Sequence, residues 1–247
     1  MGRPRIRPGS SVSASLDHPA VVLEDGVRIP AVAHSLDDFR RWAHSDRFPA
    51  EGRIDYLAGD VEVEMSPEDL FTHGAVKSAI AAELHRLVAE ADRGYLFVDR
   101  ARVTAPSAGL SVEPDVVALL HETVAAGRAR LVPGRSGKPG RFVEIEGAPD
   151  LVVEVVSDGS VAKDTARLPP LYAAAGVAEL WLVDARGEDL DFRVLRLESG
   201  AYLPIEPTPN GWTASPVLDR SVRLRRRPAP LGTWGYRLEL TAPSGTS

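Results

Sequence analysis

The stretch "PDLVVEVVSDGSVAKDT", residues 149–165, decides how this chain folds. Leu151, Val152, Val153, Val155 and Val156 form a short, continuous and mostly β-branched run, closed by the turn residues Ser157-Asp158-Gly159-Ser160. Such a run predicts a strand covered on both faces. Strand alternation places Val152, Glu154 and Val156 on one face and Leu151, Val153 and Val155 on the other. Glu154 therefore stands among valines. Burying an unpaired carboxylate costs on the order of several kcal/mol, so it must be paired, protonated or bound to a cation. Two readings stay open on this stretch: a structural ion pair or wet strand end, and a functional site.

Working outward, "SVAKDTARLPPLYAAAGV" is helical, with a break or kink at Pro169-Pro170 and a stop at Gly176. "ELWLVD" is a second buried strand. Strand, helix and strand together predict a right-handed βαβ unit in a mixed α/β sheet. Before it, "RFVEIEG" gives a short strand and "SVEPDVVALL" another, entered through Pro114. "YLFVD" and "ARVTA" are strands on either side of Arg100. "SPEDLFTHGAVKSAIAAELHRLVAEADRG" has Ser66 as a cap, Pro67 at the first helical position and Asp69 as in a capping box. Val76, Ile80, Leu84 and Leu87 share a face, which predicts one long helix or two in series split near Gly74. "GRIDYLAGDVEVEM" reads as a hairpin around Ala58-Gly59, and "SLDDFRRWAHSD" as a helix capped by Ser35. The last third, from "DFRVLRL" to "WGYRLEL", is strand-like and reads as an antiparallel meander.

A second carboxylate must join Glu154 if it is to do chemistry. Asp150 shares its face but lies about 13 Å along the strand, so it caps or starts the strand instead. In "SVEPDVVALL", Glu113 and Asp115 share a face, and Asp115 leads into a hydrophobic run as Glu154 does. Paired strands lie about 4.8 Å apart, which lets Asp115 and Glu154 hold one hard divalent cation. Lys163 and Arg167, at the start of the following helix, are the nearby cations; a lysine there orients a water or stabilises a developing phosphorane. Solvated helix charges are the bland account of both.

The absence of cysteine excludes disulfides, thiolate zinc sites and a cysteine nucleophile. No run of eighteen apolar residues predicts a membrane span, and no apolar segment follows the basic N-terminus, which makes the cytoplasm the default compartment. A net charge of −6 argues against a nucleic-acid coat protein. Two basic groups stand out nonetheless: Arg128, Arg130, Arg135, Lys138 and Arg141, and then Arg220, Arg223, Arg225, Arg226 and Arg227. A basic rim around an acidic site and ordinary surface charge both fit them.

Pro114-Asp115, the strand "LVVEVVS" and the segment "LYAAAGVAELWLVDARG" resemble the Uma family, described as "putative restriction endonucleases" of the PD-(D/E)XK superfamily. The likeness runs from about Gly52 to about Leu240 and takes in "GRIDYLAGDVEVEMSPE", "FTHGAVKSAI" and "GWTASPVLDRSVRLRRR". It implies an α/β, restriction-endonuclease-like fold with a central mixed sheet flanked by helices and a β-rich C-terminal portion. It implies one such domain over 21–241, between flexible tails at 1–20 and 242–247. It also implies a Mg²⁺- or Mn²⁺-dependent endonuclease acting on nucleic acid, DNA foremost, with Asp115 and Glu154 as metal ligands. Asp55 stands where the family has an acid in its first strand, and His73 where relatives often carry a histidine. The family's lysine is missing from both of its places, which hold Val156 and Leu168, so Lys163 takes that role here; Asp55, His73, Glu113 and Arg167 are additional candidate site residues. A catalytically silent nucleic-acid- or partner-binding module is the alternative, and a homodimer is expected by analogy.

Overall fold

The computed structural model describes residues 20–22, 28–30 and 33–241. The tails expected at either end lie outside these residues, apart from Ala20. Strands β1 (Ala20–Val22) and β2 (Arg28–Pro30) pair antiparallel. Helix α1 (Leu36–Ala43) starts at Ser35, whose hydroxyl accepts the Asp38 N–H. Strands β3 (Arg53–Leu57) and β4 (Asp60–Glu64) form the expected hairpin. The long helix is split near Gly74 into a π-helical turn, Leu70–Gly74, and α2 (Ala75–Val88). Its cap is Asp69 and not Ser66. The Asp69 carboxylate accepts both the Phe71 and Thr72 N–H groups, satisfying two donors where a capping hydroxyl usually serves one.

The stretch "SVEPDVVALL" is not one strand. Pro114 has no N–H to give a ladder, and the chain changes sheets there. It follows β5 (Gly94–Val98) and β6 (Arg102–Ala105), and it yields β7 (Leu110–Val112) and β8 (Val116–Leu120). Then come α3 (His121–Ala125), β9 (Ala129–Pro133), β10 (Phe142–Gly147) and β11 (Leu151–Val155). Residues 161–175 are helical throughout: a π-helical turn, Lys163–Arg167, leads directly into α4 (Leu168–Ala175), so Pro169-Pro170 stand inside the helical run just after the π turn, and the helix ends at Gly176 with φ +91°. The chain finishes with β12 (Glu179–Asp184), β13 (Asp191–Glu198), β14 (Ala201–Pro204), β15 (Thr213–Ser215), β16 (Arg220–Pro228) and β17 (Trp234–Leu240).

The fold is α/β and nuclease-like, with twelve of its strands divided between two six-stranded mixed sheets. The first has the order β4-β3-β7-β6-β10-β9 and the second β14-β13-β12-β11-β8-β5. Strands β11 and β12 are parallel across α4, as the βαβ reading requires. Of the expected meander only β15-β16-β17 stands apart; β13 and β14 extend the second sheet, because β13 finds a partner in the buried edge of β12. Both faces of β11 are covered. Leu151, Val153 and Val155 pack with Val76, Ile80 and Leu84 of α2, and Val152 packs with Leu168 and Tyr172 of α4. Two crossovers between the sheets lie side by side: Asp99–Ala101 joins β5 to β6, and Glu113–Asp115 joins β7 to β8. They are tied by a hydrogen bond from Asp99 N–H to the Asp115 carbonyl, 3.1 Å. No helix among the described residues is long and apolar enough to cross a membrane.

Candidate active site

Strand β8 runs antiparallel to β11 with Val116 opposite Val153, so Asp115 comes to lie beside Glu154. Asp115 is fully buried. Its Oδ2 accepts the Val155 N–H at 2.7 Å, and its Oδ1 accepts an Arg53 guanidinium N–H at 2.7 Å. His73 Nε2 lies 3.4 Å from Oδ2, and Lys77 Nζ 3.9 Å from Oδ1. Burial pushes the Asp115 carboxyl up. His73, Arg53 and the Val155 N–H more than offset that and hold it well below the usual carboxylate range.

Glu154 is also buried but is served differently. Its Oε1 accepts the Tyr172 hydroxyl at 2.5 Å, and its Oε2 has no hydrogen-bond partner. Burial, followed by the charges of Asp115 and Asp164, pushes its carboxyl well above the ordinary range, and Arg53 and Tyr172 only partly counter this. Asp164, buried one turn into the helical segment, accepts from Ser160 through Oδ2 and leaves Oδ1 unpartnered. Burial pushes it up to about 6, with Asp115 adding to the effect against Ser160, Lys163 and Arg53.

Asp55 on β3 is buried, accepts the Glu113 N–H at 3.0 Å and lies 3.2 Å from Lys163 Nζ. Lys163 also reaches Glu64 Oε2 at 3.4 Å. Burial lowers the Lys163 pKa, but Asp55, Asp164 and Glu154 raise it further, so it stays an ammonium. Lys163 therefore enters the acidic group by way of Asp55 and Glu64, on the hairpin, with its ammonium anchored away from Glu154. His73 is not a core histidine: its Nδ1 lies 3.1 Å from Glu68 and its other nitrogen faces Asp115. Burial lowers its pKa, and the two carboxylates raise it above the usual value.

Two expected members line the cleft but are paired elsewhere and do not reach Asp115 or Glu154. The turn at Pro114 separates Glu113 from Asp115, and Glu113 pairs with Arg102 at 2.6 Å. Arg167 lines the second lobe of the cleft on the same face of β4 as Glu64, but it is held there by Asp60 at 3.0 Å and by Glu62. In exchange, Arg53, Glu64, Glu68, Lys77, Asp164 and Tyr172 belong to the neighbourhood although sequence reasoning passed them over. Arg53 was findable, since it lies two residues before Asp55 and so shares its face of β3. Lys77 lies four residues after His73, one helical turn on.

Asp55, Glu64 and Glu68 line a two-lobed cleft, with lobes of about 320 and 350 Å³ that share Arg53, Glu64, Met65 and Ser66, while Asp115 and Glu154 lie buried behind it. Arg53 lies between the lobes and the carboxylates, with its side chain 17% exposed. It is the resident counter-charge: burial lowers its pKa, and Asp115, Glu154 and Asp55 raise it well above the ordinary value. The donor set fits a hard divalent cation. It consists of carboxylate oxygens, and the partnerless Glu154 Oε2 is a buried acceptor in want of a charge. Glu68, His73 and Asp115 also offer ligand atoms within 4.8 Å of one another.

A family model, Uma2, with the description "Putative restriction endonuclease", matches residues 36–225. The chain belongs to the Uma2 family. A solved structure, described as a "putative nuclease belonging to DUF820" from Anabaena variabilis, aligns with a TM-score of 0.55 and 17% identity over 74% of this chain and 90% of that one. At that identity the likeness speaks for a shared fold, and it places this Uma2 chain in a nuclease-like architecture. No curated protein matches the chain.

Proposed function

We propose that this chain is a Mg²⁺- or Mn²⁺-dependent endonuclease that hydrolyses phosphodiester bonds in nucleic acid, with DNA as the substrate. One observation carries the reading: Glu154 is buried beside Asp115 with an oxygen that no protein group serves. Asp115 and Glu154 would hold the ion, with Asp55 as a further acid of the same cluster. A bound divalent ion supplies charge that polarises the phosphate and acidifies an attacking water. The chain's own groups do the rest. Lys163, held as an ammonium between Asp55 and Glu64, positions the water. Arg53 neutralises Asp115 at rest and, facing both lobes, is placed to take a phosphate oxygen once that duty is relieved. His73 holds Asp115 in its ionised form.

A second reading has its own observation. Arg53 already neutralises Asp115, and the two usual lysine places hold Val156 and Leu168, as a silent nucleic-acid-binding module would have it. Incubation of supercoiled and single-stranded DNA with Mn²⁺ separates the two. Cleavage by the wild type that is lost in Asp115→Asn, Glu154→Gln and Lys163→Ala supports the nuclease. Binding without cleavage by the wild type supports the silent module.

A further inference from the structure

The cleft does not end at the Asp99-Arg100 turn. Both residues line its first lobe, and both also line a neighbouring groove of about 630 Å³. They hold φ of +53° and +51°, a left-handed pair that non-glycine residues rarely adopt, and so fix a sharp corner between the two spaces. One wall of the groove is β5, an edge strand of the second sheet; the other is β10. Their apolar side chains face water: Tyr95 and Val98 are each 42% exposed, Phe142 50% and Val143 48%. The Tyr95 and Phe97 rings lie nearly parallel, 29° apart in plane and 6.2 Å between centroids. An apolar strip of this kind on an edge strand calls for an occupant.

Charge says which. The acids around the groove are engaged: Glu144 by Arg40 and His44, Glu146 by Arg40 and Arg130, Asp99 by Lys77, and Glu113 by Arg102. Four cations are left over. Arg100 donates to the Ala50 carbonyl and to no acid, and Arg135, Lys138 and Arg141 are exposed on the β9–β10 loop that rims the groove. Among the described residues none of these four has a carboxylate within ion-pairing distance. Exposed aromatic faces beside unneutralised cations match a nucleic-acid strand whose bases are free to stack. A duplex keeps its bases stacked on one another and leaves such rings unused.

We infer that this groove binds a single-stranded stretch of nucleic acid, with bases on Tyr95 and Phe142 and phosphates on Arg100, Arg135 and Arg141. The strand turns at Asp99-Arg100 into the cleft. The inference rests on the nucleic-acid reading of that cleft and adds the form of the substrate: an unpaired end, flap or displaced strand.

The test is fluorescence anisotropy of a fluorescein-labelled oligothymidylate of about 15 nucleotides in EDTA, with a duplex of the same length as competitor. Tyr95→Ala/Phe142→Ala is expected to weaken binding at least about tenfold with its salt dependence unchanged. Arg135→Glu/Arg141→Glu is expected to weaken it and flatten the log–log salt slope by about 0.7 for each phosphate that is no longer neutralised. Phe142→Trp, which keeps a stacking face, retains binding and controls for misfolding alongside thermal melts. Binding untouched by these substitutions overturns the inference. So does a duplex bound as tightly and weakened in parallel. So, too, does sedimentation showing that the substitutions dissolve a dimer while oligothymidylate binding persists, since the strip then belongs to a second copy. Failure of the nuclease reading looks different: a wild type that binds the oligonucleotide through this groove but cuts nothing with Mn²⁺ loses that reading and keeps this one.

Discussion

Glu154 and Glu179 sit on neighbouring parallel strands, both buried, and among the described residues neither has a lysine or arginine within ion-pairing distance. Burial leads the causes that raise both carboxyls. Their surroundings differ in donors. Glu179 Oε1 accepts the Trp181 indole N–H and the Ser215 hydroxyl, each at 2.6 Å, and its Oε2 accepts the Val217 N–H at 3.1 Å. Those bonds tie the loop around β15 to the second sheet, so Glu179 is a structural clamp. Glu154 has one bond, from Tyr172, and an empty second oxygen. A buried carboxylate by itself is therefore weak evidence of chemistry; one with unmet acceptor capacity beside a second acid is stronger.

The sharpest way to break this contrast is to remove each glutamate and measure urea unfolding in EDTA. Glu179→Leu strands buried donors at about 1–3 kcal/mol each and is expected to cost about 3 kcal/mol or more. Glu154→Gln, which keeps an acceptor for Tyr172 and removes a carboxyl beside Asp115, is expected to stay within about 1 kcal/mol of wild type or to gain. Equal losses would erase the distinction. Arg53→Met ranks close behind Glu179→Leu: it takes away the main cation from buried Asp115 and is expected to cost about 3 kcal/mol in EDTA. Part of that loss should return with Mn²⁺, because an ion that binds only the folded state stabilises it by mass action.

A pH series sharpens the comparison with less effect. Asp164 is raised in the folded state, so its stabilising contribution is whole below its unfolded pKa near about 4 and is lost as pH climbs through about 6. Stability of Asp164→Asn relative to wild type should therefore rise across that window. Asp115 has the opposite sign: its contribution is present at neutral pH and lost as pH falls below about 4, and Asp115→Asn should flatten the acid limb. A parallel pair of pH profiles would contradict both assignments. The smallest effect belongs to Arg167→Ala, which breaks partly exposed pairs with Asp60 and Glu62 and should change stability by about 0–1 kcal/mol and Mn²⁺-dependent cleavage less than Lys163→Ala does.

Much of this was legible in local sequence. The two-sided burial of β11 follows from its continuous β-branched run, and the irregular helix after it follows from two prolines inside a helical stretch, with Gly176 to end it. The neighbourhood of Asp115 and Glu154 follows from two acids at the ends of apolar runs whose strands pair. What was illegible depends on long-range geometry. Pro114 marked a strand entry but not a change of sheet, and that change sends Glu113 to Arg102 and Asp115 to Arg53. Arg53 gave only a positional signal, its shared face with Asp55, because an arginine on a hairpin strand otherwise reads as a surface charge until a second sheet covers it. Ser66 and Asp69 were both competent caps, and only the path of the chain out of β4 selects between them.

Calorimetric titration of Mn²⁺ into wild type, Glu154→Gln and Glu179→Gln tests the central claim most directly. The account predicts saturable binding to wild type, its loss in Glu154→Gln, and its retention in Glu179→Gln if that variant folds, which a melt establishes first. Wild type without saturable binding, or Glu154→Gln binding Mn²⁺ as tightly as wild type, would contradict the claim that the empty oxygen of Glu154 marks a cation site.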